Sequence, residues 1–159
     1  MNLQYCSVMS LQNASKEAIT EWMKFHRASD SLTTTDLGKF YIKNGTLKFA
    51  NNELLVGLDA ITEFFDTTFP LLARMKHEIV NLDTIGNKIY QTCTISYGVK
   101  DDPYRRTIKI KAMGVVHLVS GADFKSGEAL IEHFDVFLDA SEVFGIVGEV
   151  QELRAEGKL

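Results

Sequence analysis

Halfway along this chain the spacing of its apolar residues changes. Between residues 15 and 75 they recur at three- and four-residue intervals, as on one face of a helix. From about 77 to 138 they recur at every second position, as on one face of a strand. Helices first and strands afterwards is the order of an α+β fold. At 159 residues the chain fits one domain, with its core expected over about 15–147 and a polar tail, 148–159, expected to be loose. The architecture that buries both patterns is a strongly curved antiparallel sheet with three N-terminal helices across its concave face, enclosing a cone-shaped cavity.

Ser15 is placed to cap a first helix, with Glu17 in its first turn and Ile19, Trp22, Met23 and His26 on one face. A second short helix is expected from Thr35, carrying Leu37, Phe40 and Tyr41 and ending at Asn44-Gly45. Residues 47–56 suggest a small hairpin around Asn51-Asn52. A third helix from Leu58 turns Ile61, Phe64, Phe65, Thr68, Phe69 and Leu72 inward, and Pro70 should kink it or split off its last turn. Strands follow at 76–83, 89–99, 106–119 and 129–138, separated by a turn at 85–88, a break at 100–103 and a polar loop at 120–128. A short helix over 141–147 closes the fold.

Composition removes several classes of function. A net charge of −4 leaves no basic stripe for a nucleic acid. No run approaches the ~18 apolar residues of a membrane span, and residues 1–10 lack the basic and apolar regions of a secretion signal, so a cytoplasmic protein is expected. Two cysteines, Cys6 and Cys93, are too few for a disulfide framework or a four-ligand zinc site. There is no glycine-rich phosphate loop, nucleophile elbow or His-Glu-x-x-His helix. What stands out is ionisable residues inside apolar strands.

The sharpest case is Leu130-Ile131-Glu132-His133-Phe134-Asp135-Val136. Alternation puts His133, Asp135 and Phe137 on one face and Glu132, Phe134 and Val136 on the other. If His133 and Asp135 point inward, carboxylate and imidazole sit about 6–7 Å apart, a spacing suited to proton transfer through a bound substrate. A carboxylate in an apolar cavity also has its pKa raised toward the range of a working base. If that face is the outer one, the same residues are solvated or lie in a dimer contact. His117, between Val116 and Leu118, is either a satisfied core residue or a partner of His133, which one hairpin register sets directly opposite. His77 either lines a cavity mouth or is exposed. Asp30 and Asp36 suit turn and capping roles. His117, His133 and Asp135 also have the composition of a two-histidine, one-carboxylate iron site, but a second His sixteen residues upstream fits that pattern poorly.

The same strand resembles the closing-strand motif I-x-E-H-W-D-V of SnoaL-like proteins, members of the superfamily of nuclear transport factor 2, ketosteroid isomerase and scytalone dehydratase. Val56-Gly57-Leu58-Asp59-Ala60-Ile61 is similar to that family's G-x-x-A-I helix opening, and Phe64-Phe65 and His77-Glu78-Ile79 match as well. Asn51-Asn52 and the stretch from Tyr97 to Lys100-Asp101-Asp102-Pro103 are similar to fungal members. The resemblance covers roughly 15–147. It implies a cone-shaped α+β barrel, a homodimer packed through the sheet, and a pocket that works without metal or organic cofactor. In SnoaL-like cyclases a closing-strand Asp is general acid and base, with a His on the neighbouring strand polarising an oxygen. Carried over, these are Asp135 and His117, with His133 adjoining. Trp22, Phe40, Phe49, Phe64, Phe65 and Phe69, with His77, Tyr97 and Met113, are then the expected walls around a small hydrophobic carbonyl substrate. The loop at 120–128 is longer than the family's. A second alignment, matching Asp139 to the superfamily's Y-F-D ending, turns Val136 inward and leaves Asp135 outside. The implied activity is an isomerase, cyclase or dehydratase of secondary metabolism; the alternative is a non-catalytic ligand-binding or protein-interaction member.

Overall fold

The computed structural model describes residues 10–12, as backbone, and 16–159; Ser15 and Cys6 lie outside the described residues. Among the described residues there are three α-helices, α1 (Lys16–Asp30), α2 (Leu58–Thr68) and α3 (Ser141–Ala155). Seven strands, β1 (Ser10–Gln12), β2 (Tyr41–Phe49), β3 (Leu55–Val56), β4 (Leu72–Ile85), β5 (Lys88–Val99), β6 (Ile108–Leu118) and β7 (Ile131–Phe137), form one sheet in the order β1-β4-β5-β6-β7-β2-β3. The expected meander is β4 to β7, antiparallel throughout. The sheet is nevertheless mixed, because β1 joins β4 and β2 joins β7 in parallel.

The helix expected from Thr35 is corrected. Leu37–Lys39 makes one 3-10 turn, and the chain then runs into β2. The Phe40 carbonyl accepts from the amides of both Leu130 and Ile131, which docks the start of β2 beside β7. Gly45, read as a helix stop, instead fills a register shift between Tyr41 and Thr46. A Cβ there would lie 3.0 Å from the carbonyl oxygens of Ile42 and Ile131. The hairpin around Asn51-Asn52 is present as β2 and β3. Gly57, at φ +90°, takes a backbone conformation open to glycine just before α2. Pro70 sits in a separate 3-10 turn, Phe69–Leu71, as its missing N–H requires.

The tail expected to be loose from residue 148 is also corrected, since α3 continues to Ala155. Val143, Ile146, Val147 and Val150 fall at helical spacing and are all buried. Two ion pairs tie the helix to the β5–β6 connection: Arg106 to Glu149 at 2.7 Å, and Arg154 to Asp101. Arg106 also binds the buried Asp102 carboxylate at 3.0 Å. These contacts hold that carboxyl below its usual range, the Arg106 side-chain hydrogen bond being the main cause.

Alternation along the central strands separates two faces. In β6, Ile108, Ile110, Ala112, Val116 and Leu118 are buried, whereas Lys109, Lys111 and Met113 are exposed. In β5, Ile89, Gln91, Cys93, Ile95 and Tyr97 are buried on that same side. Helix α1 lays Ala18, Trp22, Phe25 and His26 into the core. Trp22 stacks on Phe25 at 4.6 Å, and both rings meet Phe134 edge-on.

Candidate active site

Phe134 decides which side of β7 faces inward. It is 5% exposed beneath the α1 aromatics, and Val136, two positions on, borders the interior cavity. The alternation of the strand then sends His133 and Asp135 to the other side. The expectation that Asp135 points into the helix–sheet cavity is corrected accordingly, and the alignment with Val136 inward is the one the structure adopts. His117 is directly opposite His133, as one of the two registers required, and shares its outer face. There the His117 and His133 rings lie 5.3 Å apart. His133 Nε2 is 3.0 Å from Asp135 and its Nδ1 is 2.7 Å from the Thr46 hydroxyl. The structure therefore brings the three together, on the side of the sheet away from the cavity. Partial desolvation, Lys88 and His133 lower the His117 pKa.

The interior cavity has a volume of about 80 Å³ and lies between α1, α2 and the inner face of the sheet. Phe49, Phe65, Phe69, His77, Tyr97 and Met113 border it. Trp22 and Phe40 instead line a second, more open cavity of about 270 Å³ beside the 119–130 loop. Phe64 packs on Phe49 and Phe65.

One polar constellation interrupts the apolar lining. Asp30, at the end of α1, binds the start of β4 twice. One carboxylate oxygen accepts from His77 Nδ1–H at 2.6 Å, the other from the His77 backbone N–H at 3.1 Å. One turn earlier on α1, the His26 ring lies 4.6 Å from that of His77, tilted by 37°. His26 Nε2 is 2.8 Å from Gln91 Oε1, and the Trp22 indole N–H donates to the same oxygen at 2.5 Å. His26 is 2% exposed. Its pKa lies well below 6.5, chiefly because burial penalises the cation and secondarily because His77 is adjacent. Burial likewise pushes the Tyr41 and Tyr97 hydroxyls upward, keeping both protonated. Two buried polar atoms of residues bordering the cavity, His26 Nδ1 and the Tyr41 hydroxyl, have no hydrogen-bond partner among the described residues. A buried polar atom without a partner costs about 1–3 kcal/mol.

Sequence reasoning placed His26 only on a helix face, gave Asp30 a turn role and put Tyr41 on a short helix; Gln91 went unremarked. The signal was present. Trp22, His26 and Asp30 fall at i, i+4 and i+8 on one helix, and Gln91 is the polar member of an otherwise apolar inward series in β5. Among the described residues, no three of His, Cys, Asp and Glu are placed to hold a metal ion. No helix among them is long and apolar enough to cross a membrane.

No family model matches the chain, and no curated protein matches it in sequence. Solved structures do match in fold. A protein described as a SnoaL-like polyketide cyclase from Jannaschia sp. CCS1 superposes with a TM-score of 0.67 at 12% identity, over 86% of this chain and 96% of its own. A protein described as a polyketide cyclase from Bacillus cereus ATCC 10987 gives 0.66 at 14% identity, over 93% and 96%. The epoxide hydrolase/cyclase-like enzyme SalBIII, of pyran ring formation in salinomycin, gives 0.61 at 18% identity, over 76% and 89%. The fold of this chain is the curved-sheet α+β cone of the SnoaL-like and nuclear transport factor 2-like proteins.

Proposed function

We propose that the interior cavity is the active site of a cofactor-independent isomerase, cyclase or dehydratase that moves protons on a small hydrophobic carbonyl compound of polyketide or terpenoid type. The observation that carries this reading is the Asp30–His77 pair at the edge of an apolar cavity, beside a histidine that burial keeps uncharged. Asp30 fixes the His77 tautomer by accepting from Nδ1 and stabilises the imidazolium that forms when Nε2 takes a proton. His26, neutral at 4.6 Å, adds no second positive charge against that cation. The Tyr41 hydroxyl is a buried donor for an oxygen on which charge develops. Phe49, Phe65 and Phe69 supply apolar wall around the reacting groups. Similarity in fold to polyketide cyclases and to SalBIII supports the substrate class. In this reading His117, His133 and Asp135 stand outside the reaction.

The test is proton exchange in deuterated water, followed by NMR across a panel of small cyclic ketones and β-hydroxyketones. Exchange by the wild type that is lost in His77→Gln and Asp30→Asn supports the reading. Exchange that survives both substitutions overturns it. The small volume of the cavity, about 80 Å³, favours a second reading in which a ligand is held without turnover. Saturable binding with no exchange would identify that case.

A further inference from the structure

The cavity beside the 119–130 loop is separate from the interior one: no residue borders both. At about 270 Å³ against about 80 Å³ it is also the roomier. Trp22, Leu118 and Ile131 are its buried floor, brought together by α1, the end of β6 and the start of β7. Phe40, Phe124 and Leu130 are half-buried and complete an apolar wall. Phe124 is the one aromatic residue in a loop otherwise made of small and polar residues. Hydrogen bonds give that loop a definite shape. The backbone amide of Lys125 donates to the Asp123 carboxylate, that of Ser126 to the Asp123 carbonyl, and that of Glu128 to the Ser126 hydroxyl. The Val119 amide closes the loop by donating to the Leu130 carbonyl. A shaped apolar hollow with a few polar groups converging on it is the usual form of a small-molecule site.

Four charged side chains border this cavity: Glu21, Lys24, Lys39 and Glu128. Lys24 lies 2.5 Å from Glu21, and Lys39 lies 2.7 Å from Asp36. Each lysine is therefore met by a carboxylate three residues before it. Glu128 has no ion pair among the described residues. The unmatched charge at the cavity is thus negative, and it shares the lining with the rings of Phe40 and Phe124, whose faces attract cations. An anionic guest would meet Glu128 with both lysines already engaged. A neutral apolar guest would strip water from Glu128 and give nothing back. We infer that this cavity is a second binding site, for a small organic cation: an ammonium group set against Glu128, on an apolar body packed between Phe40, Phe124 and Leu130 above Trp22. The inference is independent of the chemistry assigned to the interior cavity, which has its own residues.

The experiment is titration calorimetry with three probes of one size and different charge: 2-phenylethylammonium, 2-phenylethanol and 3-phenylpropanoate. Trp22 is the sole tryptophan of the chain, so its emission, excited where the phenyl probes do not absorb, reports occupancy of the cavity it floors. The ammonium should bind about tenfold more tightly than the alcohol and shift the Trp22 emission, with the carboxylate weakest. Added salt should weaken the ammonium and leave the alcohol unchanged. Glu128→Gln should lower ammonium affinity about threefold to fivefold and spare the alcohol. Phe124→Ala should weaken both by about tenfold. Both substitutions fall on an exposed loop outside the sheet, so the fold survives them. An ammonium that binds no more tightly than the alcohol, or that ignores Glu128→Gln, overturns the preference for a cation. Binding that leaves Trp22 emission unmoved, or that is indifferent to Phe124→Ala, overturns the site, as does the absence of saturable binding by the ammonium. None of these results alters the proton-exchange test of the interior cavity, so the two readings stand or fall separately.

Discussion

Two clusters of the same composition lie on opposite faces of one sheet. Inside, Asp30, His77 and His26 are joined by a 2.6 Å hydrogen bond and a ring contact of 4.6 Å. Outside, Asp135, His133 and His117 are joined by a 3.0 Å ion-pair contact and a ring contact of 5.3 Å. A list of residue types cannot tell them apart. Their surroundings differ: the His77 and Asp30 side chains keep 12% and 23% of their surface in solvent and adjoin His26, which is 2% exposed beneath aromatic rings, whereas those of His133 and Asp135 keep 26% and 29%. Water around the outer pair screens its charges and competes for its hydrogen bonds. The inner pair adjoins His26, a site where burial makes charge costly and each polar atom needs a designated partner. In the function proposed above, the face a carboxylate–imidazole pair occupies decides whether it transfers protons.

The largest expected difference between the clusters is in turnover. Asp30→Asn and His77→Gln should each lower proton exchange by about 10²–10⁴-fold, the usual contribution of a positioned acid–base group. Asp135→Asn should leave it within about twofold. Steady-state rates on folded variants check this, and the reverse pattern would move the chemistry to the outer face.

Crowding comes next. Gly114→Ala drives a methyl into Phe134 and Gln91, with an expected loss of about 1–3 kcal/mol in urea denaturation. It should also disturb the His26 resonances, while His133 and His117 stay in place.

The pH dependence of stability is smaller over any one pH unit. His26 titrates well below 6.5 when folded, so below pH 6.5 the unfolded chain binds a proton that the folded chain refuses. Stability should be complete above that pH and fall by about 1.4 kcal/mol per unit as pH drops. His117 is lowered in the same direction from its more solvated site. Urea melts of wild type, His26→Gln and His117→Gln separate the two, and the His26 variant should flatten the profile more. The smallest effect expected is that of His133→Ala at neutral pH, within about 0.5 kcal/mol because its contacts are partly solvated. A larger loss would mean that the outer cluster is buried in the working state of the protein, as in a homodimer packed through this face.

Much of the fold was legible because period is a local property. Ile108, Ile110, Ala112, Val116 and Leu118 announce a strand and its buried face with no knowledge of the rest of the chain. The start of β2 was misread because Leu37, Phe40 and Tyr41 fit a helical stripe, while the true environment of the strand comes from β7, far along the chain. The start of the helix over 141–155 was visible. Its last turns were not, because Glu149, Gln151 and Glu152 look like a tail until Val150 is seen to be buried and Arg154 is paired with Asp101. For the site, sequence indicated the face-sharing of His133 and Asp135 but not the face's direction, which a single buried ring, Phe134, decides. His26, Asp30, His77 and Gln91 come from one helix and two strands, and only the docking of α1 on the sheet makes them neighbours.

The parallel pairing of β2 with β7 also sets an order in time. Thr46 and His133, adjacent in the finished sheet, are 87 positions apart. A ribosome therefore releases β2 long before it makes the strand that covers one side of it. Until then β2 can pair within the sheet only with the two residues of β3. A truncated nascent chain ending before residue 131 leaves the Tyr41–Phe49 edge open, and an open edge is where a growing polypeptide attracts chaperones or other strands. Loop closure across so many residues is slow, so completion of the chain, rather than the local meander, times the appearance of the assembled cavity.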